Sequence, residues 1–237
     1  MSFWLMAQLV DYAVRSGDQA FLAEVYPRVE MFVDGLLSLR GKSGLLEGMD
    51  ILFVDWSLSN ADWALKPVNI PNNCLAVKIL EELGTLYDRQ DWTGAAQEMR
   101  AVIEKMDAAD MASWRQGDAA VYENGILHRT GFATEGGVAL ELWSGFHRED
   151  PVYARRFVEE MGTAPAKRSD PNIAKANLFI GLMIRFDVLY RMGKIDTLIE
   201  EMRDVYLPEL REGSGTFFEN YNAHSGCHGF NGMAGVF

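Results

Sequence analysis

Apolar residues three or four positions apart dominate this sequence, and that spacing places them along one face of an α-helix. The clearest stretch covers residues 18–39. A second helix is predicted before it, ending at Ser16 and Gly17, so that Asp18 begins the next helix as its N-cap residue. The apolar positions within residues 18–39 are Phe21, Leu22, Val25, Val29, Phe32, Val33, Leu36 and Leu37.

The same spacing returns along the rest of the chain, and segments that alternate apolar and polar residues are scarce. We therefore predict an all-α fold. Further helices are predicted over residues 75–86, 95–106, 138–143, 151–161, 174–192 and 195–205.

Short and long connections alternate between these helices. The alternation groups the helices into about four hairpins and predicts that the long loops share one face. No Pro- or Ser-rich linker divides the chain, so residues 1–237 are predicted to form a single domain, either an open solenoid or a closed toroid. The long loops cover residues 41–71, 113–137, 162–172 and 211–229.

The charge balance restricts the partners of the chain. There are 34 acidic and 22 basic side chains, a formal charge of −12. Because nucleic-acid-binding proteins concentrate positive charge, we expect no nucleic-acid partner. No apolar run reaches the roughly 18 residues of a membrane span, and no basic amphipathic helix or signal-peptide pattern is found, so we expect no membrane association. The compartment, bacterial cytoplasm or periplasm, stays open.

Metal and cofactor binding are not expected. His224, Cys227 and His228 are three potential ligands within five residues, but zinc normally takes four, and no second Cys/His cluster is found. The sequence contains no dinucleotide fingerprint and no phosphate-binding loop. Cys74 is interpreted as a small buried residue rather than a reactive thiol.

Two long loops carry residues suited to sugars. Asp55 offers a carboxylate to hydroxyl groups, and Trp56 offers an apolar surface to a sugar ring. Glu219 lies among aromatic residues, where loss of water raises the proton affinity of a carboxyl group and suits it to acid–base catalysis. From these residues alone, a packed loop tryptophan and a hydrogen-bonded loop carboxylate remain the alternatives.

The stretch GTFFENYN, followed by SGCHGF, resembles the T-(L/I)-W-E and S-x-C-H-(A/G)-W motifs of bacterial α-L-rhamnosidases, which are six-hairpin glycosidases. The segment FVDW resembles their GDW segment. The helix, glycine and helix ahead of Glu219 and the helix pair that opens the chain occur in the same order in that family. The resemblance thus extends over essentially the whole chain.

This resemblance implies an inverting glycoside hydrolase with an (α/α)6 barrel. Glu219 corresponds to the general base that activates water, His228 to a histidine lining the sugar site, and Trp56 to an aromatic wall beside Asp55. A second carboxyl group would protonate the leaving oxygen, at about 6.5–9.5 Å from the base. The implied substrate is a terminal α-L-rhamnoside.

The sequence departs from the family in three positions and in length. Phe218 and Phe230 stand where the family has tryptophan, and Val54 stands where it has glycine. About four hairpins are present instead of six, and the acidic, arginine-containing motif of the general acid is not found. We therefore expect an incomplete toroid that is inactive by itself and that self-associates through exposed hairpin flanks.

Two alternatives stay open: a non-catalytic helical module that binds carbohydrate or protein, and another six-hairpin glycosidase such as an unsaturated glucuronyl hydrolase. The missing general acid distinguishes a working enzyme from a binding module.

Further candidate residues lie outside the motifs named above. Asn72 and Asn73 are interpreted as helix caps that can also contact a ligand. Glu123 and Glu135 are weaker candidates for the sugar site, Glu135 being first a residue favoured by the helix dipole.

Overall fold

The computed structural model describes residues 2–48, 54, 57–109, 116–162, 173–178, 180–211 and 217–218. Within these ranges the chain is largely helical. The α-helices are α1 (Ser2–Ser16), α2 (Gln19–Leu37), α3 (Asp62–Leu65), α4 (Ile70–Leu86), α5 (Gln90–Ala109), α6 (Glu135–Trp143), α7 (Pro151–Glu159), α8 (Ile180–Arg191) and α9 (Ile195–Arg211). A 3₁₀ helix (Leu58–Asn60) and the strands β1 (Val68–Asn69), β2 (Gln116–Glu123) and β3 (Ile126–Phe132) complete the described elements.

The helix ends follow the local chemistry of the sequence. Gly17 ends α1 at a φ of +65°, and the Asp18 carboxylate accepts the Phe21 N–H at 3.0 Å to cap α2. Asp150 caps α7 in the same way, accepting the N–H groups of Val152 and Tyr153. These two joints confirm the predicted helix boundaries at Asp18 and Asp150.

The helices form two layers. In the inner layer α1 packs on α4, α4 on α6, and α6 on α8, while α2, α5, α7 and α9 lie behind their preceding helices. Most of the side chains of α4, α6 and α8 are buried, whereas the outer helices bury one face. One contiguous cluster of buried apolar side chains runs from α1 to α9. The result is the series of helical hairpins that the sequence predicted.

The segment 113–137 differs from the prediction because it contains a β-hairpin rather than only a loop. Strands β2 and β3 pair antiparallel, and β1 joins the other edge of β2 to give the order β1-β2-β3. The turn is Asn124-Gly125, with φ values of 51° and 81°. An Asn-Gly pair at positive φ is typical of a two-residue hairpin turn, so the signal was present in the sequence and was missed.

Helix α8 begins later than predicted, at Ile180 instead of Ala174. Residues 173–178 are not helical, and Ala174 forms a parallel bridge with Thr134. The Ala174 carbonyl accepts the N–H of Glu135 at 2.9 Å. Pairing with the start of α6 thus replaces the first predicted turns of α8.

No described helix is long and apolar enough to cross a lipid bilayer. The placement of all four long loops on one face remains a prediction, because most of the loops 162–172 and 211–229 and a part of each of the other two lie outside the described ranges.

Candidate functional site

The four predicted site residues, Asp55, Trp56, Glu219 and His228, all lie outside the described residues. Their roles and their convergence on one sugar site therefore stay predictions. The structure does describe the residues that directly flank three of them.

The chain is anchored on both sides of Asp55 and Trp56. Val54 is fully buried, and its N–H donates to the Asn60 side-chain oxygen at 3.0 Å. Ser57 caps the 3₁₀ helix, its hydroxyl oxygen accepting the Ser59 N–H at 3.1 Å. The path of the chain into and out of the Asp-Trp pair is thus set by this short helix.

The residue before Glu219 is also held. Phe218 donates its N–H to the Glu209 carboxylate of α9 at 3.3 Å, and the Phe217 ring packs edge-on against Tyr206 with centroids 5.1 Å apart. Burial raises the pKa of Glu209, and the hydrogen bond from Phe218 opposes that shift. Helix α9 therefore fixes the approach of the chain to Glu219.

Asparagine side chains organise the start of α4, which follows the Asp-Trp loop. Asn69, rather than Asn72 or Asn73, is the N-cap residue, and its side-chain oxygen accepts the Asn72 N–H at 2.8 Å. The Asn73 side chain accepts the Leu46 N–H at 2.8 Å and donates to the Leu46 carbonyl at 3.2 Å. The capping interpretation of Asn72 and Asn73 was wrong, because α4 begins at Ile70 and both residues lie inside its first turn.

Asp118 of β2 binds the start of α6. Its carboxylate accepts the Thr134 N–H at 3.1 Å and the Thr134 hydroxyl at 2.5 Å, and Thr134 in turn caps α6 through the Gly137 N–H. Only glycine fits at Gly137, because a Cβ there would lie 2.3 Å from an Asp118 oxygen. Burial raises the pKa of Asp118 to about 7, against the opposing hydrogen bonds from Thr134.

A largely buried group of charged and polar side chains joins α5, β3, α6 and α7. We call it the ionic cluster, and it consists of Asp107, Arg129, Glu141, His147 and Tyr153. The Arg129 guanidinium binds Glu141 through two hydrogen bonds of 2.9 Å and Asp107 through bonds of 2.8 and 3.1 Å. His147 Nε2 lies 3.1 Å from Glu141 and 3.3 Å from Asp107, and the Tyr153 hydroxyl donates to Glu141 at 3.2 Å. The cluster ties these four elements together.

The electrostatics of the ionic cluster follow from burial and pairing. Burial lowers the pKa of His147, but hydrogen bonds and charges from Asp107 and Glu141 outweigh burial and raise it to about 9. Burial likewise opposes ionisation of Glu141, and Arg129 and His147 lower the pKa of that carboxyl group to about 2. An open cavity of about 360 Å³ borders His147 and Asp107. The carboxylates of this cluster are engaged with cations, so the arrangement favours a structural role.

The structure also describes the other candidate residues, which are Glu123, Glu135 and Cys74. Glu123 lies exposed at the hairpin tip of β2. Glu135 is only 4% exposed, and its carboxylate accepts the backbone N–H groups of Gly162 and Ala176. Cys74 is buried, and burial raises the pKa of its thiol well above the ordinary value, as expected for a small buried residue. Among the described residues, no group of His, Cys, Asp and Glu forms a metal site.

Sequence reasoning missed the ionic cluster and Asp118. One signal was available: Glu141 lies between apolar residues of α6, and a charged residue on a buried helix face requires a partner. The identity of that partner was not accessible, because Arg129 lies on a strand that had been predicted as loop.

Comparison with known proteins finds a likeness at the level of structure and not of sequence. No protein-family model matches the sequence, and no curated protein does either. The crystal structure of a GH78 family rhamnosidase from Bacillus sp. GL1 is similar to this chain with a TM-score of 0.76 at 20% sequence identity. The likeness covers 99% of this chain and 25% of that protein.

The chain has the fold of part of a GH78 rhamnosidase. This confirms the predicted rhamnosidase-like helical fold, with the small sheet as an addition. The chain spans about a quarter of the length of the rhamnosidase, and at this identity the likeness concerns the fold.

Proposed function

We propose that the chain forms part of the catalytic domain of a glycoside hydrolase that acts on terminal α-L-rhamnosides with inversion, and that Glu219 is the general base. The observation that carries this proposal is the fold likeness to a rhamnosidase over 99% of the chain. The order of the Asp55-Trp56 and Glu219–His228 motifs along the sequence supports it independently.

In this proposal Glu219 takes a proton from the water that attacks the anomeric carbon. The bond from that carbon to the glycosidic oxygen breaks, and this oxygen leaves with the aglycone after taking a proton from a separate acid. Trp56 presents its ring to the apolar face of the sugar, while Asp55 and His228 bind hydroxyl groups. Asp118 does not suit the role of the acid although its pKa is raised to about 7, because its carboxyl group is buried and bound to Thr134.

A polypeptide of only these 237 residues should therefore bind the sugar without turning it over. Loss of a proton donor costs about 10²–10⁴-fold in rate, and loss of substrate positioning costs more. Sugar binding therefore tests the proposal more directly than turnover does.

The test is titration of the 237-residue chain with L-rhamnose, followed by calorimetry or ligand-observed NMR, beside an assay on an aryl α-L-rhamnoside. We expect a dissociation constant in the range of about 1 mM, as for a contact with a single sugar. Trp56→Ala should weaken binding by about tenfold, since it removes the stacking surface. Tyr12→Ala, which removes an exposed aromatic side chain of α1, is the matched control and should bind like the unchanged chain.

Each other outcome has a defined meaning. Absence of L-rhamnose binding, or binding that Trp56→Ala leaves unchanged, would overturn the proposal. Preference for an unsaturated uronide over L-rhamnose would assign the chain to another six-hairpin class. Turnover that Glu219→Gln abolishes would keep the proposal and show that these residues contain the acid.

A further inference from the structure

The short joint between α6 and α7, residues 144–150, is held in a strained backbone conformation. His147 has a φ of +55°, in the left-handed region that side chains other than glycine rarely adopt. Gly145, two residues earlier, also has a positive φ, of +91°. A non-glycine residue keeps such a conformation only where its surroundings hold it there, so the contacts of His147 decide whether the joint stays closed.

The imidazole of His147 is held by three side chains. Its Nε2 atom lies 3.1 Å from the Glu141 carboxylate and 3.3 Å from the Asp107 carboxylate. Its ring stacks on the Tyr153 ring, with centroids 4.2 Å apart and an interplanar angle of 20°. Because Nε2 faces two carboxylates, these contacts stabilise the protonated imidazolium.

The charge balance of the ionic cluster requires the proton on His147. Arg129 of β3 binds the same two carboxylates through hydrogen bonds of 2.8–3.1 Å, but it brings one positive charge against two negative charges. Loss of the proton from His147 therefore leaves a largely buried carboxylate charge without compensation, which is costly. The other charged side chains beside His147 line the open cavity at the joint and are exposed to solvent; they are Glu104 of α5 and Arg148, Glu149 and Asp150 of the joint.

The proton on His147 is lost in alkaline solution. Burial lowers the pKa of His147, but hydrogen bonds and charges from Asp107 and Glu141 outweigh burial and raise it from 6.5 to about 9. The stabilising contacts are therefore complete below pH 6.5 and are lost as the pH rises through 9. The His147 side chain is 15% exposed and borders the open cavity of about 360 Å³, so water can take up this proton while the chain stays folded.

The elements around the joint keep contacts of their own when those of His147 are lost. Arg129 still joins Asp107 of α5 to Glu141 of α6. The start of α7 is still capped by the Asp150 carboxylate. Loss of the His147 contacts therefore loosens the joint first and leaves the helices in place.

Two backbone hydrogen bonds report whether the joint is closed. The Phe146 N–H donates to the Glu141 carbonyl at 3.0 Å, and the Asp150 N–H donates to the His147 carbonyl at 3.1 Å. The Phe146 ring is 2% exposed and lies under the Arg100 guanidinium, 4.3 Å from its centre. Opening of the joint breaks these hydrogen bonds and brings Phe146 into contact with water.

We propose that residues 144–150 form a pH-sensitive clasp, which protonated His147 closes by bridging Asp107 and Glu141 and which opens locally when that proton is lost. Opening allows His147 to leave its positive φ and exposes the apolar side chain of Phe146. The clasp is independent of the proposed sugar site, since it consists only of the ionic cluster and the joint between α6 and α7.

The experiment is millisecond amide hydrogen exchange of the unchanged chain and of His147→Gln from about pH 6 to about pH 10, read by mass spectrometry at peptides that cover residues 144–150. Glutamine keeps one N–H donor but does not titrate. Comparison of the two proteins at each pH removes the acceleration of exchange by hydroxide. Tyr153→Phe is the matched control, because it removes a hydrogen bond to Glu141 but keeps the ring that stacks on His147. Peptides of α9 report on unfolding of the whole chain.

In the unchanged chain the protection of the joint should fall by up to about 300-fold over this range, the factor that corresponds to a pKa displaced from 6.5 to about 9. In His147→Gln the joint should be open to the same extent at every pH, whereas Tyr153→Phe should keep the pH dependence. The protection of α9 should stay constant in all three proteins. Equal pH dependence of the joint in the unchanged chain and in His147→Gln would overturn the proposal, and so would a loss of protection that α9 shares.

A second measurement needs no variant. In NMR spectra of the unchanged chain, the His147 ring and the amides of Phe146 and Asp150 should titrate together, with a midpoint of about 9. A His147 ring that titrates while both amide signals stay fixed would also overturn the proposal, because the proton would then be lost without opening of the joint.

Discussion

At the scale of single residues, buried carboxyl and imidazole groups make the stability of this protein depend on pH. Asp118 and His147 both have pKa values moved towards or beyond neutrality, for different reasons. Burial dominates at Asp118, whereas pairing with Asp107 and Glu141 dominates the outcome at His147. The free energy of unfolding should therefore depend on pH over different ranges through Asp118 and through His147.

His147 should stabilise the fold below neutral pH and lose that effect in alkaline solution. Its pKa in the folded protein is raised to about 9, above the ordinary value of 6.5, so the folded state binds the proton more tightly than the unfolded state. The stabilisation is complete below pH 6.5 and disappears as the pH rises through 9. In urea unfolding, the free energy of unfolding of His147→Gln should fall less between pH 6.5 and pH 9 than that of the unchanged protein. An equal fall in the two proteins would contradict the assignment.

Asp118 should change the stability of the fold over a more acidic pH range than His147 does. Burial raises its pKa from 3.8 to about 7, so the folded state favours the protonated form, and the contribution of this group to stability falls as the pH rises from 3.8 to 7. Asp118→Asn removes the titration at nearly constant size. The stability of the variant relative to the unchanged protein should therefore increase with pH over this window. The check is the difference in unfolding free energy at pH 4.5 and 7.5; a difference independent of pH would refute it.

At the scale of elements, side chains from one element satisfy the backbone of another. Asn73 of α4 binds both backbone groups of Leu46, and Arg185 of α8 binds carbonyls at the end of α7. The ionic cluster similarly links β3 to α5 and α6 through Arg129. The helical hairpins are therefore joined by polar contacts in addition to the apolar core.

Asn73→Ala should destabilise the protein markedly. The substitution leaves the N–H and carbonyl of Leu46, a fully buried residue, without their present partner, and each unsatisfied buried group costs about 1–3 kcal/mol. We expect a loss of about 2–5 kcal/mol in chemical denaturation. Thr85→Ala, on the exposed side of the same helix, is the control and should change stability by less than about 0.5 kcal/mol. Similar stabilities of the two variants would show that the hydrogen bonds to Leu46 contribute little to the free energy of unfolding.

At the scale of the whole molecule, the first and last described helices of the array carry exposed apolar side chains. Leu5 and Val14 of α1 are 59% and 78% exposed, and Leu210 of α9 is 59% exposed. Apolar surface of this kind favours association between molecules.

We therefore predict that the chain self-associates through α1. Light scattering should give a mean mass that increases with concentration, and the double substitution Leu5→Lys with Val14→Lys should reduce it towards the 26.6 kDa of a monomer. Added lysine lowers the net negative charge and its repulsion, so reduced association must come from the lost apolar surface. Ile126→Lys, at a 55% exposed position of the β-hairpin, should leave the mass unchanged. A monomer at every concentration of the unchanged chain would contradict this prediction.

Local chemistry explains why the helical architecture was predictable. The spacing of Leu22, Val29, Val33 and Leu36 directs one face of α2 inward, and these residues are buried. Capping by Asp18 and Asp150 depends on neighbours within three residues, so the sequence alone specifies it. The rhamnosidase-like fold was also accessible, because the motifs occur in the family's order along the chain.

Contacts between distant segments explain what the sequence by itself did not determine. Glu135 binds residues 27 and 41 positions away, and Asn73 binds a residue 27 positions away. Arg129 meets Asp107 and Glu141 only because β3 lies against α5 and is followed directly by α6. Local spacing and capping thus determined the helices, whereas the partners of the buried polar groups were decided by tertiary packing, since a buried charge is stable only where the fold brings a complementary group to it.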